Sequence, residues 1–269
     1  MEWRTPPCTL AFESLAERPF ENSRIGNLAA IHQPGINLVL GERTFSPKAM
    51  ERLRQLDVME LVTAHGTLLS PKGGAKHSLS LDGNNVPPQD LLASIGPALE
   101  RILPAHPANR LIAQDLALML QETAAVYNNA PMTYHDVTNA TGAQGVFHHD
   151  NYTEHRWLVT LPTGKAPGTL VADDFTRQYP VFPYSNPMAG TQYGDRHNNY
   201  GRPSALWQHL IREAPTGHML GWHGEKTGTP RIHSEPDVVT AEQARITIIA
   251  VPTFMNERDS LRPLPAPGT

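Results

Sequence analysis

The run Phe147-His148-His149-Asp150-Asn151 holds the residue types best suited to chemistry in this chain. In an extended strand successive side chains point to opposite faces, so His148 and Asp150 share one face and His149 takes the other. One imidazole and one carboxylate at a strand end can hold the same cation. A second histidine from elsewhere would complete a two-histidine, one-carboxylate triad, which leaves open positions on the ion and favours non-haem Fe(II). His233, within Pro230-Arg231-Ile232-His233-Ser234-Glu235, is the first candidate for that ligand, and His218 and His223 on another expected strand compete with it. Arg245 opens the apolar run Arg245–Pro252, and a buried arginine there can grip a carboxylate with two parallel hydrogen bonds. An iron enzyme that uses 2-oxoglutarate needs such a cation for the far carboxylate of the cosubstrate. Tyr134 is a candidate for lining the same pocket, with core packing as its alternative. The expected metal ligands are therefore His148, Asp150 and His233, the expected cofactor-binding residues are Arg245 and Tyr134, and the expected cofactors are Fe(II) and 2-oxoglutarate.

No single member carries this reading. With 13 histidines in the chain, a His-x-Asp pair arises readily by chance. The weight lies in the order of types along strand-like segments. His149 is expected to pack on the opposite face. His135-Asp136 is not spaced for same-face ligation, and Trp157 reads as core. Tyr193, Asp195, Arg196, His197 and Tyr200 form a polar, aromatic cluster in a long loop over 186–203, read as solvated with a substrate lid as the alternative.

Other chemistries lack their motifs. The chain has no Gly-x-Ser-x-Gly elbow, no phosphate-binding Walker loop, no dinucleotide fingerprint and no His-Glu-x-x-His. Its one cysteine, Cys8, excludes an intrachain disulfide and thiolate zinc sites. Net charge is −4 with no Lys/Arg run, against a dedicated nucleic-acid binder. No apolar window is long enough to span a membrane, and no signal-peptide pattern opens the chain, so the cytoplasm is the expected compartment. At 269 residues and 39% hydrophobic, the chain can bury a sizeable core.

The elements that must position these residues fall into two halves. Residues 1–30 read as an irregular arm, with one domain over 31–269. INLVL (36–40) reads as a buried strand. Ser46-Pro47 opens a helix, with serine as cap and proline at the first turn. Residues 59–64 read as a strand and 65–88 as loop. LLASIGPALERIL after Asp90, kinked at Pro97, and 108–127 read as helices, so that 46–130 forms a helical support. From 131 to 252 the texture changes to short β-like runs separated by Gly, Pro, Asn and Asp, as in a sandwich or barrel. Residues 204–213 read as a helix interrupting that series.

These segments resemble a family. FHHDN followed by RWLVTLPTGKAPGT is similar to the pattern of the bacterial domain-of-unknown-function family number 1826. IHQPGINLVLGERTFSP, APTGHMLGWHGEK and IHSEPDVVTAEQARITIIAVP resemble further segments of it. The family often carries a cysteine before the Phe-His-x-Asp, where this chain has ATGAQGV. More widely, VTNATGAQGVFHHDN is similar to the approach to His-x-Asp in the prolyl-hydroxylase branch of the Fe(II)/2-oxoglutarate dioxygenases. That likeness implies an α+β fold with a double-stranded β-helix (jelly-roll, cupin-like) core and N-terminal helices packed on its outside. It also implies an oxygenase acting on a small-molecule or peptide-like substrate. The rival expectations are a cupin-like metalloenzyme without 2-oxoglutarate and a non-enzymatic metal-binding protein. The oligomeric state is not readable at this level.

Overall fold

The structure is a computed structural model and describes residues 23–57, 76–77, 83–130, 132–139, 147–150, 153–172, 199–201, 211–236, 238 and 240–252. The N-terminal half comprises β1 (Ser23–Gly26), β2 (Leu38–Gly41), α1 (Pro47–Arg54), β3 (Lys76–His77), β4 (Gly83–Val86), α2 (Leu91–Ile102) and α3 (Asn109–Ala125). Then come β5 (Met132–Asn139), β6 (Phe147–His148), β7 (His155–Thr160), β8 (Leu170–Ala172) and β9 (Asn199–Gly201). The chain continues through β10 (Ile211–Glu213), β11 (Met219–His223), β12 (His233–Ser234) and β13 (Arg245–Pro252).

The pairing of these strands defines the architecture. β5 pairs with β13, β6 with β12, β7 with β11 and β8 with β10, all antiparallel. First therefore meets last, second meets second-last, and so inward. This nesting is that of a long hairpin rolled into two facing sheets, the double-stranded β-helix or jelly roll. The larger sheet runs β1-β2-β11-β7-β13-β5-β3, with β4 also on β5, and the smaller runs β10-β8-β12-β6-β9. The expected fold class is the observed one.

Strand alternation divides the large sheet into two faces. Val39, Trp157, Val159, Met219, Ile246, Ile248 and Ala250 belong to the core packed beneath the helices. Leu38, Leu40, Leu158, Leu220, Trp222, Ile249 and Val251 form the opposite face with Val171 of the small sheet, and so line the lumen between the sheets. Full burial of each aliphatic side chain stabilises the fold by about 1.5–3 kcal/mol. Gly221 lies across from Trp157 in the β11–β7 register, and a Cβ there would collide with the indole ring.

The helices close the outer face. Ala49 and Leu53 of α1, Leu91, Ile95 and Leu99 of α2, and Ile112, Leu116, Met119 and Leu120 of α3 are buried against it. The backbone N–H and hydroxyl of Ser46 both donate to Asp115 Oδ2, at 2.9 and 2.7 Å, pinning the start of α1 to α3. Pro97 lies inside α2, and Asn128 and Asn129 adopt positive φ just beyond α3.

Three expectations change. Within residues 1–30, Ser23–Gly26 is a strand paired parallel to β2, and residues 1–22 lie outside the described residues. Within 65–88, β3 and β4 add to the free side of β5. The edge of β5 supplies their hydrogen-bond partners, which apolar periodicity does not register. Within 204–213, Ile211–Glu213 is strand β10, because the open side of β8 recruits its backbone. Residues 204–210, the expected strand at 59–64, Cys8 and most of the 186–203 loop lie outside the described residues, although Asn199–Gly201 of that loop form β9.

Candidate metal centre

β6 and β12 run antiparallel with His148 directly opposite His233. Their rings share one face, with centroids 4.4 Å apart. Asp150 stands two residues beyond His148, and a hydrogen bond from the Glu225 N–H to its backbone carbonyl, at 2.8 Å, ties the segment to the end of β11. One ligand atom each from His148, Asp150 and His233 lies within 4.8 Å of the other two. His148 is half-buried, while Asp150 and His233 are buried. The three residues expected from sequence thus meet at one point in the lumen.

Protonation suits them to a cation. His233 Nδ1 lies 3.2 Å from the Arg231 carbonyl oxygen. A carbonyl only accepts, so Nδ1 carries the proton and Nε2 keeps its lone pair toward Asp150 Oδ2, 3.7 Å away. Burial pushes the His233 imidazole down to about 3, with Asp150 opposing the shift and His148 adding to it. Burial by itself would raise the Asp150 carboxyl. Arg156, His233, His148 and the Trp222 indole N–H together overcome that and hold it down at about 2. At neutral pH His233 is a neutral imidazole donor beside an ionised Asp150 carboxylate, and with His148 these are the residue types of a two-histidine, one-carboxylate site.

Arg245 projects into the same lumen. Its Nη2 donates to Thr160 Oγ1 at 2.8 Å, to Thr169 Oγ1 at 3.0 Å and to Thr247 Oγ1 at 3.0 Å. Thr169, just before β8, lies two residues ahead of Val171, which is the cross-strand partner of His233. The arginine therefore lies about 7 Å along the strand direction from the histidine row, at the usual rise per residue. It is 1% exposed, and its Nε and Nη1 have no hydrogen-bond partner among the described residues. Burial lowers it to about 10, against Glu235 and Glu213, so it stays a cation at neutral pH. A buried cation with unsatisfied donors is costly unless an anion completes it, and a carboxylate fits that need.

Tyr134 does not join these residues. It belongs to the core beneath the helices and pairs in register with Ala250, on the face of the large sheet turned away from the lumen. Strand alternation decides this, and core packing, its alternative at the outset, is what is observed. His218 and His223 are also elsewhere. His218 Nδ1 lies 3.2 Å from the Gly41 carbonyl, and His223 Nε2 lies 2.9 Å from that of Ile31. His149 is buried outside the triad, and Trp157 is core. The side chains of His135 and Asp136 lie outside the described residues.

Sequence reasoning missed Arg156, Trp222 and the three threonines. Arg156 Nη1 lies 3.1 Å from Asp150 Oδ1, and Trp222 Nε1 donates to Asp150 Oδ2 at 2.7 Å. A signal existed in the alternation of β7, where Arg156 occupies the same face as Leu158 and Thr160.

The fold and this cluster define the class: a jelly roll with a two-histidine, one-carboxylate centre in its lumen. The chain matches no family model, so the likeness to family 1826 rests on its motifs alone. No curated protein matches it. Solved structures similar to it include the dioxygenase for auxin oxidation 1 of Arabidopsis thaliana as a 2-oxoglutarate complex. That likeness has 11% identity, 80% of this chain and 81% of that one covered, and a TM-score of 0.38. A Pseudomonas putida prolyl-4-hydroxylase is similar at 13% identity, with 80% and 91% covered and a TM-score of 0.39. HygX of Streptomyces hygroscopicus, with nickel and 2-oxoglutarate bound, is similar at 14% identity, with 81% and 83% covered and a TM-score of 0.38. No helix among the described residues is long and apolar enough to cross a membrane.

Proposed function

We propose that this chain is an Fe(II)- and 2-oxoglutarate-dependent oxygenase acting on a small-molecule or peptide-like substrate. The observation that carries the reading is the pairing of two lumen features: the His148, Asp150 and His233 cluster, and the buried, incompletely satisfied Arg245.

In this reading His148, Asp150 and His233 hold the metal. Three protein ligands leave open positions on the ion, as non-haem iron oxygenases require. Arg245 binds the far carboxylate of the cosubstrate, and Thr160, Thr169 and Thr247 fix its guanidinium so that Nη1 and Nε are left for the anion. Leu38, Leu158, Leu220 and Ile249 keep the lumen apolar and exclude water from the site. When bound, iron and 2-oxoglutarate supply the oxidising chemistry: dioxygen oxidises a substrate C–H bond while 2-oxoglutarate becomes succinate and carbon dioxide.

Anaerobic titration of the protein with Fe(II) and then 2-oxoglutarate tests this. A visible charge-transfer band is expected for the wild type and is expected to vanish in His148→Ala. Arg245→Gln should retain metal but need much more 2-oxoglutarate to develop the band. Tight stoichiometric metal with no band at any 2-oxoglutarate concentration would overturn the cosubstrate assignment in favour of a metalloenzyme that works without it.

A further inference from the structure

Asp150 is held at both oxygens by two residues that are themselves cross-strand neighbours. Arg156 of β7 and Trp222 of β11 face each other in register. Trp222 Nε1 donates to Oδ2 at 2.7 Å, and Arg156 Nη1 lies 3.1 Å from Oδ1. The two oxygens are not equivalent toward the histidines. Oδ2 is the one that faces His233 Nε2, at 3.7 Å.

We propose that Arg156 and Trp222 are positioning residues that clamp Asp150 for ligation through Oδ2 alone. This rests on the reading that the triad holds a divalent metal. An ionised carboxylate oxygen has about two acceptor directions. The indole N–H takes one on Oδ2 and leaves the other for the ion. Oδ1 carries a guanidinium, whose positive charge repels a second cation and stops the carboxylate from chelating with both oxygens. One-oxygen ligation keeps an extra position on the ion open for other ligands.

Trp222 does a second task with its ring. Its ring centroid lies 4.2 Å from that of His233, with the two planes inclined at 37°. The same indole therefore orients the carboxylate through its N–H and one histidine through its face. The Arg231 carbonyl fixes that histidine from the opposite nitrogen. Outer partners of this kind set ligand orientation, and their loss typically weakens metal binding by about 10- to 100-fold.

Co(II) is the probe, because its visible absorption reports coordination number and its affinity is read without turnover. The proteins are the wild type, Trp222→Phe, Arg156→Gln, Arg156→Lys and His233→Ala, each checked for folding by circular dichroism and thermal melting. Trp222→Phe is expected to bind Co(II) about 10- to 100-fold more weakly. Arg156→Gln is expected to show a weaker visible band, as the freed Oδ1 joins the ion and raises its coordination number. Arg156→Lys restores the charge and is expected to return the wild-type spectrum. A merely structural role would move the melting temperature but not the spectrum. Wild-type Co(II) affinity and spectrum in both folded Trp222→Phe and Arg156→Gln would overturn the clamp and leave the metal site standing. Should Trp222→Phe not fold, the Arg156→Gln and Arg156→Lys spectra decide. Equal Co(II) binding by wild type and His233→Ala, or none by the wild type, would instead overturn the metal site itself and the clamp with it.

Discussion

Among the described residues two histidine pairs sit in the same cross-strand relation, and only one of them meets an acid. His148 and His233 oppose each other in the small sheet, facing the lumen. His155 and His223 oppose each other in the large sheet, with ring centroids 5.0 Å apart, and His32 stands 5.1 Å from His155. In the second group His155 Nδ1 and both ring nitrogens of His223 are spent on local hydrogen bonds. His155 Nδ1 lies 2.8 Å from the Tyr127 hydroxyl, which also accepts from Trp157 Nε1 at 2.8 Å. His223 Nε2 must donate to the Ile31 carbonyl, so its Nδ1 accepts from Thr229 Oγ1 at 2.9 Å. No carboxylate completes this group among the described residues, whereas Asp150 completes the first. Residue type and pairing geometry are alike. The difference is an ionised acid toward which His233 Nε2 turns its lone pair.

The sharpest way to break this contrast is to remove one histidine from each pair. His233→Ala is expected to abolish stoichiometric binding of a divalent metal, and His223→Ala to leave it unchanged, as read by equilibrium dialysis. The reverse result would move the metal site to the other face of the sheet.

Among the described residues the two faces also carry one fully buried tryptophan each, Trp157 beneath the helices and Trp222 in the lumen. Trp157→Ala should cost about 3–5 kcal/mol in urea unfolding, the usual price of such a cavity, with metal stoichiometry retained. A loss under 1 kcal/mol would contradict the packing assigned to the helix side.

Acid should tax both histidine pairs. Burial lowers His155 to about 3, with His223 and His32 adding to it, and lowers His233 to about 3 as well. Between those values and the ordinary 6.5, the unfolded chain binds more protons than the folded one. Stability of metal-free protein therefore rises with pH across that window and is lost as pH falls through it, by up to about 1.4 kcal/mol per pH unit for each group. Asp150 acts in the same sense lower down, its contribution being present above 3.8 and lost toward about 2. Urea midpoints measured from pH 7 to pH 5 should slope less steeply in both His155→Gln and His233→Gln. A slope indifferent to both changes would refute the buried, neutral state given to these rings.

The smallest expected effect lies at the far end of the lumen. Thr169→Val removes one of three hydroxyls on Arg245 Nη2, worth about 0.5–1.5 kcal/mol, and should weaken 2-oxoglutarate binding several-fold without touching metal affinity. Calorimetric titration separates the two affinities.

Much of this was legible in the chain. His148 and Asp150 could be placed on one face because strand side chains alternate, and the register later put His233 opposite. The run Arg245–Pro252 reads as a strand, and it is one over its full length. The helices after Ser46, Asp90 and Ala108 follow from apolar spacing and, for α1, from the proline at its first turn, whereas the expected serine cap does not form because the Ser46 hydroxyl donates to Asp115 instead. Tyr134 was misplaced because alternation gives two faces but not which one is the lumen. β10 was read as helix because local preference is silent about an open edge in β8. Arg156 and Trp222 were missed because their roles exist only across the β7–β11 register.

The sequence by itself determined the chemical types available and their order: His-x-Asp, then a later histidine, then an arginine heading an apolar strand. Periodicity and spacing are local properties, so they survive in the linear text. Tertiary structure alone decided which of the competing histidines meets the acid, because that choice depends on which strands pair and which way each face turns. Nested pairing turned His233 and Arg245 into the lumen and Tyr134 and His223 out of it, with the desolvation and neighbouring charge that only a closed barrel imposes.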